Sequence, residues 1–167
     1  MEIDINKACC FTGHRPEKCI GSEDVIRAFL LKKIQNAIHD GFDTFITGMA
    51  PGVDIWAAEE VLKIKEENSE IKLVCAVPFK GVERKRTAEQ KELFNQIMDR
   101  SDSITYICPK QTRWCFYARD RWMVDHSARI IAVFNGTPGG TEYTINYAQK
   151  KNRKVVLIKD SGKNMPL

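Results

Sequence analysis

Residues 42–60 read FDTFITGMAPGVDIWAAEE. Phe42 to Thr47 is a short, strand-favouring run that ends in Thr47-Gly48. A Pro51-Gly52 turn follows, and a helical pattern opens at Val53 or Asp54 with Trp56, Ala57 and Val61 on its inward side. Strand, glycine turn and helix start, in that order, make a small anion-binding mouth in open α/β sheets. Glycine lets backbone N–H groups come close to a ligand, and the unpaired N–H groups of a helix start favour negative charge. Similar successions follow the apolar runs at 7–12 and 129–134, and this recurrence decides the fold class.

Working outward, strand-like runs lie near 7–12, 43–47, 71–77, 103–108, 129–134 and 154–158. Their continuous apolar character suits parallel strands covered on both faces. Helical patterns separate them. Val25, Ile26, Phe29, Leu30, Ile34, Ala37 and Ile38 form one stripe, and Val53–Glu67 is the second helix. The third covers residues 83–99, the fourth Trp114–Asp125 and the fifth Thr141–Lys150. This alternation predicts one α/β domain over residues 1–167, a doubly wound, mostly parallel Rossmann-like sheet in three layers. The expected strand order is 3-2-1-4-5-6, with a ligand above the strand C-termini where strands 1 and 4 part.

Composition narrows the function classes. Charged residues make up 29% and apolar residues 43%, ordinary for a globular protein. No apolar run approaches the ~20 residues of a membrane span. The first ten residues, MEIDINKACC, lack an apolar signal core. A cytoplasmic protein without membrane partners is expected, with its six cysteines reduced. Cys9, Cys10, His14 and Cys19 match no usual zinc spacing, so neither metal nor cofactor is expected. The net charge of +4 permits an anionic ligand without announcing a nucleic-acid protein. A homodimer is the default assembly, because small symmetric assemblies are common.

Three loops carry candidate binding residues. After the first strand come Thr12, Gly13, His14 and Arg15, where Arg15 offers forked donors to a phosphate. After the second come Thr47, Gly48, Gly52 and Asp54. Asp54 either caps its helix or accepts from a sugar hydroxyl or an amine. After the fifth come Gly139, Gly140 and Thr141, a phosphate cradle of backbone N–H groups and one hydroxyl. Arg119 on the fourth helix supplies a countercharge, and the run Glu83-Arg84-Lys85-Arg86 reads as a solvated helix start. The GxGxxG, GxxxxGK[ST] and GxSxG motifs are absent, which disfavours ordinary NAD-binding Rossmann chemistry, P-loop hydrolysis and serine hydrolysis.

TGHRP, TGMAPGVDIWAAE and the WMVDHS…IIAVFNGTPGGT…YA block, in this order, resemble the YpsA-like family of the SLOG superfamily, to which DprA and LOG proteins also belong. The resemblance implies a Rossmann-like domain that binds a nucleotide or nucleotide-derived ligand, possible use as a sensor included. LOG relatives are phosphoribohydrolases that cleave the N-glycosidic bond of nucleoside monophosphates. Their arginine–methionine frame matches Arg119 and Met123, and their glycine turn matches Gly139, Gly140 and Thr141 with altered spacing. Their glutamate falls at Thr144, which carries no charge and leaves enzyme activity open. Asp54 and Glu142 are the acidic candidates that remain. DprA relatives bind single-stranded DNA, for which Trp114, Phe116 and Tyr117 beside Arg113 and Arg119 are a weaker signal here.

Overall fold

The computed structural model describes residues 1–162. Its middle strand is β1 (Ala8–Thr12), whose five residues ACCFT are all buried. Strand alternation sends Cys9 and Phe11 into one apolar core and Ala8 and Cys10 into the other. The Phe11 core is closed by α1 (Glu23–His39), α2 (Val53–Glu67) and α3 (Ala88–Arg100), through Leu30, Val61 and Ile97 among others. The opposite core is closed by α4 (Cys115–Asp125) and α5 (Gly140–Lys150), through Met123, Val124, Ile145 and Ala148.

The remaining strands are β2 (Thr44–Thr47), β3 (Lys72–Val77), β4 (Ser103–Tyr106), β5 (Arg129–Phe134) and β6 (Lys154–Lys159). All neighbours pair in parallel, in the order β4-β3-β2-β1-β5-β6. The doubly wound class is as expected, with one strand placed differently. The fourth strand lies outside β3 and not beside β1. Its sequence explains the placement. SITY is short and half polar, and Ile104 and Tyr106 face solvent. Such a strand suits an edge, whereas a place between β1 and β5 would bury it on both faces. α3 packs beside α2, so the winding keeps its direction through β4 and reverses only at α4. The point of reversal is therefore between β1 and β5.

α3 starts later than its apolar stripe suggests. Residues 82–85 form a single 3₁₀ turn, and Thr87 then caps α3. The Thr87 hydroxyl accepts from Gln90 N–H at 3.2 Å, and the Gln90 side chain accepts from Thr87 N–H at 3.2 Å. On the other side of this layer, Arg27 of α1 clamps α2. It pairs with Glu23 at 2.9 Å and Glu60 at 3.0 Å, and also with Glu59. After β6 the buried Asp160 accepts from Ile20 and Gly21 N–H at 2.7 and 2.6 Å, which ties the loop after β1 to the end of β6.

Candidate functional site

The loops after β1 and β5 leave the sheet on opposite faces, and a cavity of about 570 Å³ opens between them. That size suits a small molecule. Thr12, Gly13, His14 and Arg15 line it from the first loop, Gly48 and Asp54 from the second. Arg119 joins from α4, and Gly139, Gly140 and Thr141 from the start of α5. Thr47 and Gly52 stand behind the wall. The Thr47 hydroxyl donates to the Asp54 carbonyl at 2.9 Å and accepts from Met49 N–H at 3.2 Å, so it shapes the turn. Gly52 has φ +93°, and a Cβ there would lie 2.4 Å from the His14 carbonyl oxygen.

The first two loops interlock at that place. Gly13 sits against Val53, whose side chain would be 2.5 Å from any added Cβ. Val53 N–H donates to the His14 carbonyl at 3.3 Å, so one donor of the α2 start is used by the protein itself. His14 then reaches across the switch point. Its Nε2 accepts from Asn135 N–H at 3.0 Å, which leaves the proton of the neutral ring on Nδ1. The ring stacks on Phe134 with centroids 5.9 Å apart, and burial holds the imidazole below its usual pKa. Asn135 completes the tie by donating its amide to the Lys18 carbonyl at 2.8 Å. This histidine is a neutral strut between two loops.

Charge on the cavity wall is unbalanced. Six cationic side chains (Arg15, Lys18, Lys85, Arg86, Arg113, Arg119) face three carboxylates (Glu17, Asp54, Asp120). Arg119 is buried. It pairs with Asp120 at 2.8 Å and donates to the Gly48 carbonyl. Asp54, also buried, accepts from Ala50 N–H at 3.3 Å. Burial raises its carboxyl pKa to about 6, with Asp120 adding repulsion and Arg119 opposing both. Arg86 donates to the Met49 carbonyl at 2.6 Å and lies 4.9 Å over the Phe94 ring. Burial, then repulsion from Arg15 and Arg119, lowers its pKa to about 10. Arg15 and Arg119 both repel Arg86, and with six cations facing three carboxylates the wall favours an incoming anion.

Helix starts differ in the same way. Ser22 caps α1 and Thr87 caps α3, whereas the starts of α2 at Gly52 and α5 at Gly139 have no side-chain cap. A Cβ on Gly139 would meet nothing within 4 Å, and one on Gly140 only the Asp120 carboxylate at 3.9 Å. Packing does not require glycine at 140, and the free space belongs to the cavity. Glu142 and Thr144 do not line it. Thr144 is buried and donates to the Gly140 carbonyl at 2.9 Å. The position where LOG proteins carry their glutamate thus braces the turn.

Sequence reasoning missed Lys85, Arg86 and Asp120 as lining residues. Arg86 was legible by position: every loop after a parallel strand opens on the same edge, including the one after β3. The T-x-x-Q capping box at Thr87–Gln90 also marks where that loop ends. Asp120 gives no such signal, because an Arg-Asp neighbour pair on a helix is ordinary.

The chain is similar to known proteins along most of its length. A family model described as the YspA SLOG family (YpsA) matches residues 9–159. UPF0398 proteins of Bacillus cereus (strain G9842) and Bacillus thuringiensis (strain Al Hakam) are each 30% identical over 158 residues, covering 87% of this chain and 84% of the relative. DNA processing protein A (DprA) of Streptococcus pneumoniae superposes with a TM-score of 0.63 at 18% identity, covering 94% of this chain and 51% of that one. DprA of Helicobacter pylori, from a structure describing its single-stranded DNA binding mode, gives 0.63 at 16% identity, covering 90% and 64%. The chain thus spans between half and two thirds of the DprA chains, and the likeness to them is one of fold. With the family pattern running from β1 to the end of β6, the chain belongs to the YspA SLOG family.

Proposed function

We propose that the cavity binds a nucleotide or nucleotide-derived ligand, in a module that works in the cytoplasm as a sensor. One observation carries this reading. Arg15, Arg86 and Arg119 face the same space as the uncapped, glycine-built start of α5. A phosphate at Gly139–Thr141 meets backbone donors and the positive end of α5, with guanidinium groups opposite. Asp54 and Asp120 are left as acceptors for sugar hydroxyls. The exposed faces of Phe116 and Tyr117 offer a wall for a base.

The test is a thermal-shift screen of nucleoside mono- and diphosphates, NAD and ADP-ribose, with chromatography of each mixture afterwards. A bound ligand at a hundredfold excess over its Kd stabilises by about 2.7 kcal/mol and raises Tm. Gly140→Asp puts a carboxylate where the phosphate belongs and abolishes that shift. If no nucleotide raises Tm, or if Gly140→Asp leaves every shift intact, the reading fails. Release of free base would instead favour an N-glycosidase, with Asp54 as the acid, since its carboxyl is held at about 6 beside the cavity.

A second reading, single-stranded DNA, is favoured by one surface feature. Trp114, Tyr117, Tyr143 and Tyr147 follow one another along α4 and α5 with centroids 6.3, 4.7 and 6.4 Å apart. Arg113 lies 4.5 Å over Trp114, and Lys151 lies 5.5 Å over Tyr147. Aromatic faces beside cations suit stacked bases and their phosphates. Retention of a single-stranded oligonucleotide that weakens steeply with salt supports this reading, and its absence removes it.

A further inference from the structure

The sheet ends in two edges of unlike chemistry. Among the described residues β4 pairs only with β3, and β6 only with β5. An open edge offers unpaired main-chain N–H and C=O groups to another strand, and lysine is a common guard against such pairing. β6, KVVLIK, carries an exposed lysine at each end, Lys154 and Lys159. β4 and the residues just after it read SITYIC, without charge, proline or glycine. Asp102, which precedes β4, is already paired with Lys65 at 2.6 Å and accepts from Leu73 N–H at 2.8 Å. Ile104 and Tyr106 are 42% and 47% exposed. They stand beside Cys75 and Val77 of β3, so both lie on the Phe11 side of the sheet. We propose that β4 is a self-pairing edge, through which two copies of the chain join their sheets about a two-fold axis.

The occupant follows from what the edge asks for. A partner strand must be uncharged and must carry apolar side chains on the same face. β4 of a second copy meets both demands, and a two-fold interface is the commonest form of symmetric association. Asp102 N–H points inward and donates to the Leu73 carbonyl at 2.8 Å. Alternation then turns the main-chain groups of Ser103 and Thr105 outward. An antiparallel pair centred on Ile104 uses all of them, because Ser103 of each copy exchanges main-chain bonds with Thr105 of the other. Ile104 then meets Ile104 of the second copy in a non-hydrogen-bonded pair, where side chains stand closest, and Tyr106 reaches the same isoleucine diagonally. A slip by one residue would set Ile104 against Thr105, whose side chain points to the opposite face. The axis directs the strand C-termini of the two copies opposite ways, so both cavities stay open. The pairing is therefore independent of what the cavity binds.

Sedimentation velocity of the full chain over a range of concentrations tests this. The expected result is a dimer for the parent and a monomer for two variants with unchanged far-UV circular dichroism. Ile104→Lys places like charges at the axis, and Thr105→Pro removes an outward N–H at an edge where proline is tolerated. Ile104→Cys should form a disulfide between the copies at position 104 under mild oxidation. Opposite residues of a non-hydrogen-bonded pair stand about 4.5 Å apart at Cα, within disulfide range. Peptide mapping by mass distinguishes that link from the native cysteines. A parent that stays monomeric up to tens of micromolar, a dimer that survives both substitutions, or a dimer of Ile104→Cys without that disulfide overturns the proposal.

Discussion

At Gly48 an added methyl group would sit 2.7 Å from Asp54 Oδ2 and 2.9 Å from two atoms of the Arg119 side chain. Gly48→Ala should push apart the buried acid and its neighbouring cation, at a cost of about 1–3 kcal/mol in urea denaturation. Gly140→Ala has open space before it and should stay within about 0.5 kcal/mol of the parent. Titration separates two other residues. Asp54 is held at about 6 against an ordinary 3.8, so the folded chain keeps this proton longer than the unfolded chain. That contribution makes stability fall as pH rises from about 4 to about 6, and it is flat above. His14 is shifted down from 6.5, so the folded chain resists its protonation and stability is lost as pH falls through 6.5 and below. The two slopes oppose each other. In Asp54→Asn the first disappears, and stability should decline more steeply on acidification between pH 6.5 and 4, as measured by denaturation at several pH values.

Among the elements, α3 has a start that matters beyond its own stability. Arg86 immediately precedes the cap residue Thr87, so the cap sets where the chain leaves the cavity wall. Thr87→Ala should cost about 1 kcal/mol in thermal or urea denaturation. It should also weaken nucleotide-induced stabilisation, because Arg86 loses its fixed approach to the Met49 carbonyl. Elements of this kind were legible in the sequence to different degrees. The bounds of α2 follow from its Pro-Gly turn and apolar stripe, and Val53–Glu67 is what the structure contains. The start of α3 was written in its capping box, but a charge run before it resembled a helix face. β4 was legible as a strand and not in its position, because pairing order depends on which helix packs beside which. The same limit hid part of the site. Gly13, Arg15, Gly48 and Gly140 line one cavity, as loops that follow parallel strands open on the same edge, whereas the Asn135–His14 tie joins residues too far apart for spacing to reveal.

For the molecule as a whole, β1 is the strand on which both cores depend. Phe11 is fully buried and stacks with Phe45 at 6.0 Å. Phe11→Ala should cost about 3–5 kcal/mol, lowering Tm by roughly 10 °C in calorimetry. The same strand has an unusual history during synthesis. Its partner β2 is made soon after it, but on its other side Cys9 lies opposite Arg129, far along the chain. At about 5–20 residues per second, β1 waits on the order of ten seconds on the ribosome before β5 leaves the exit tunnel. During that interval a row of main-chain amides and carbonyls stands open in the centre of the future sheet, an unpaired edge of the kind on which other chains pair.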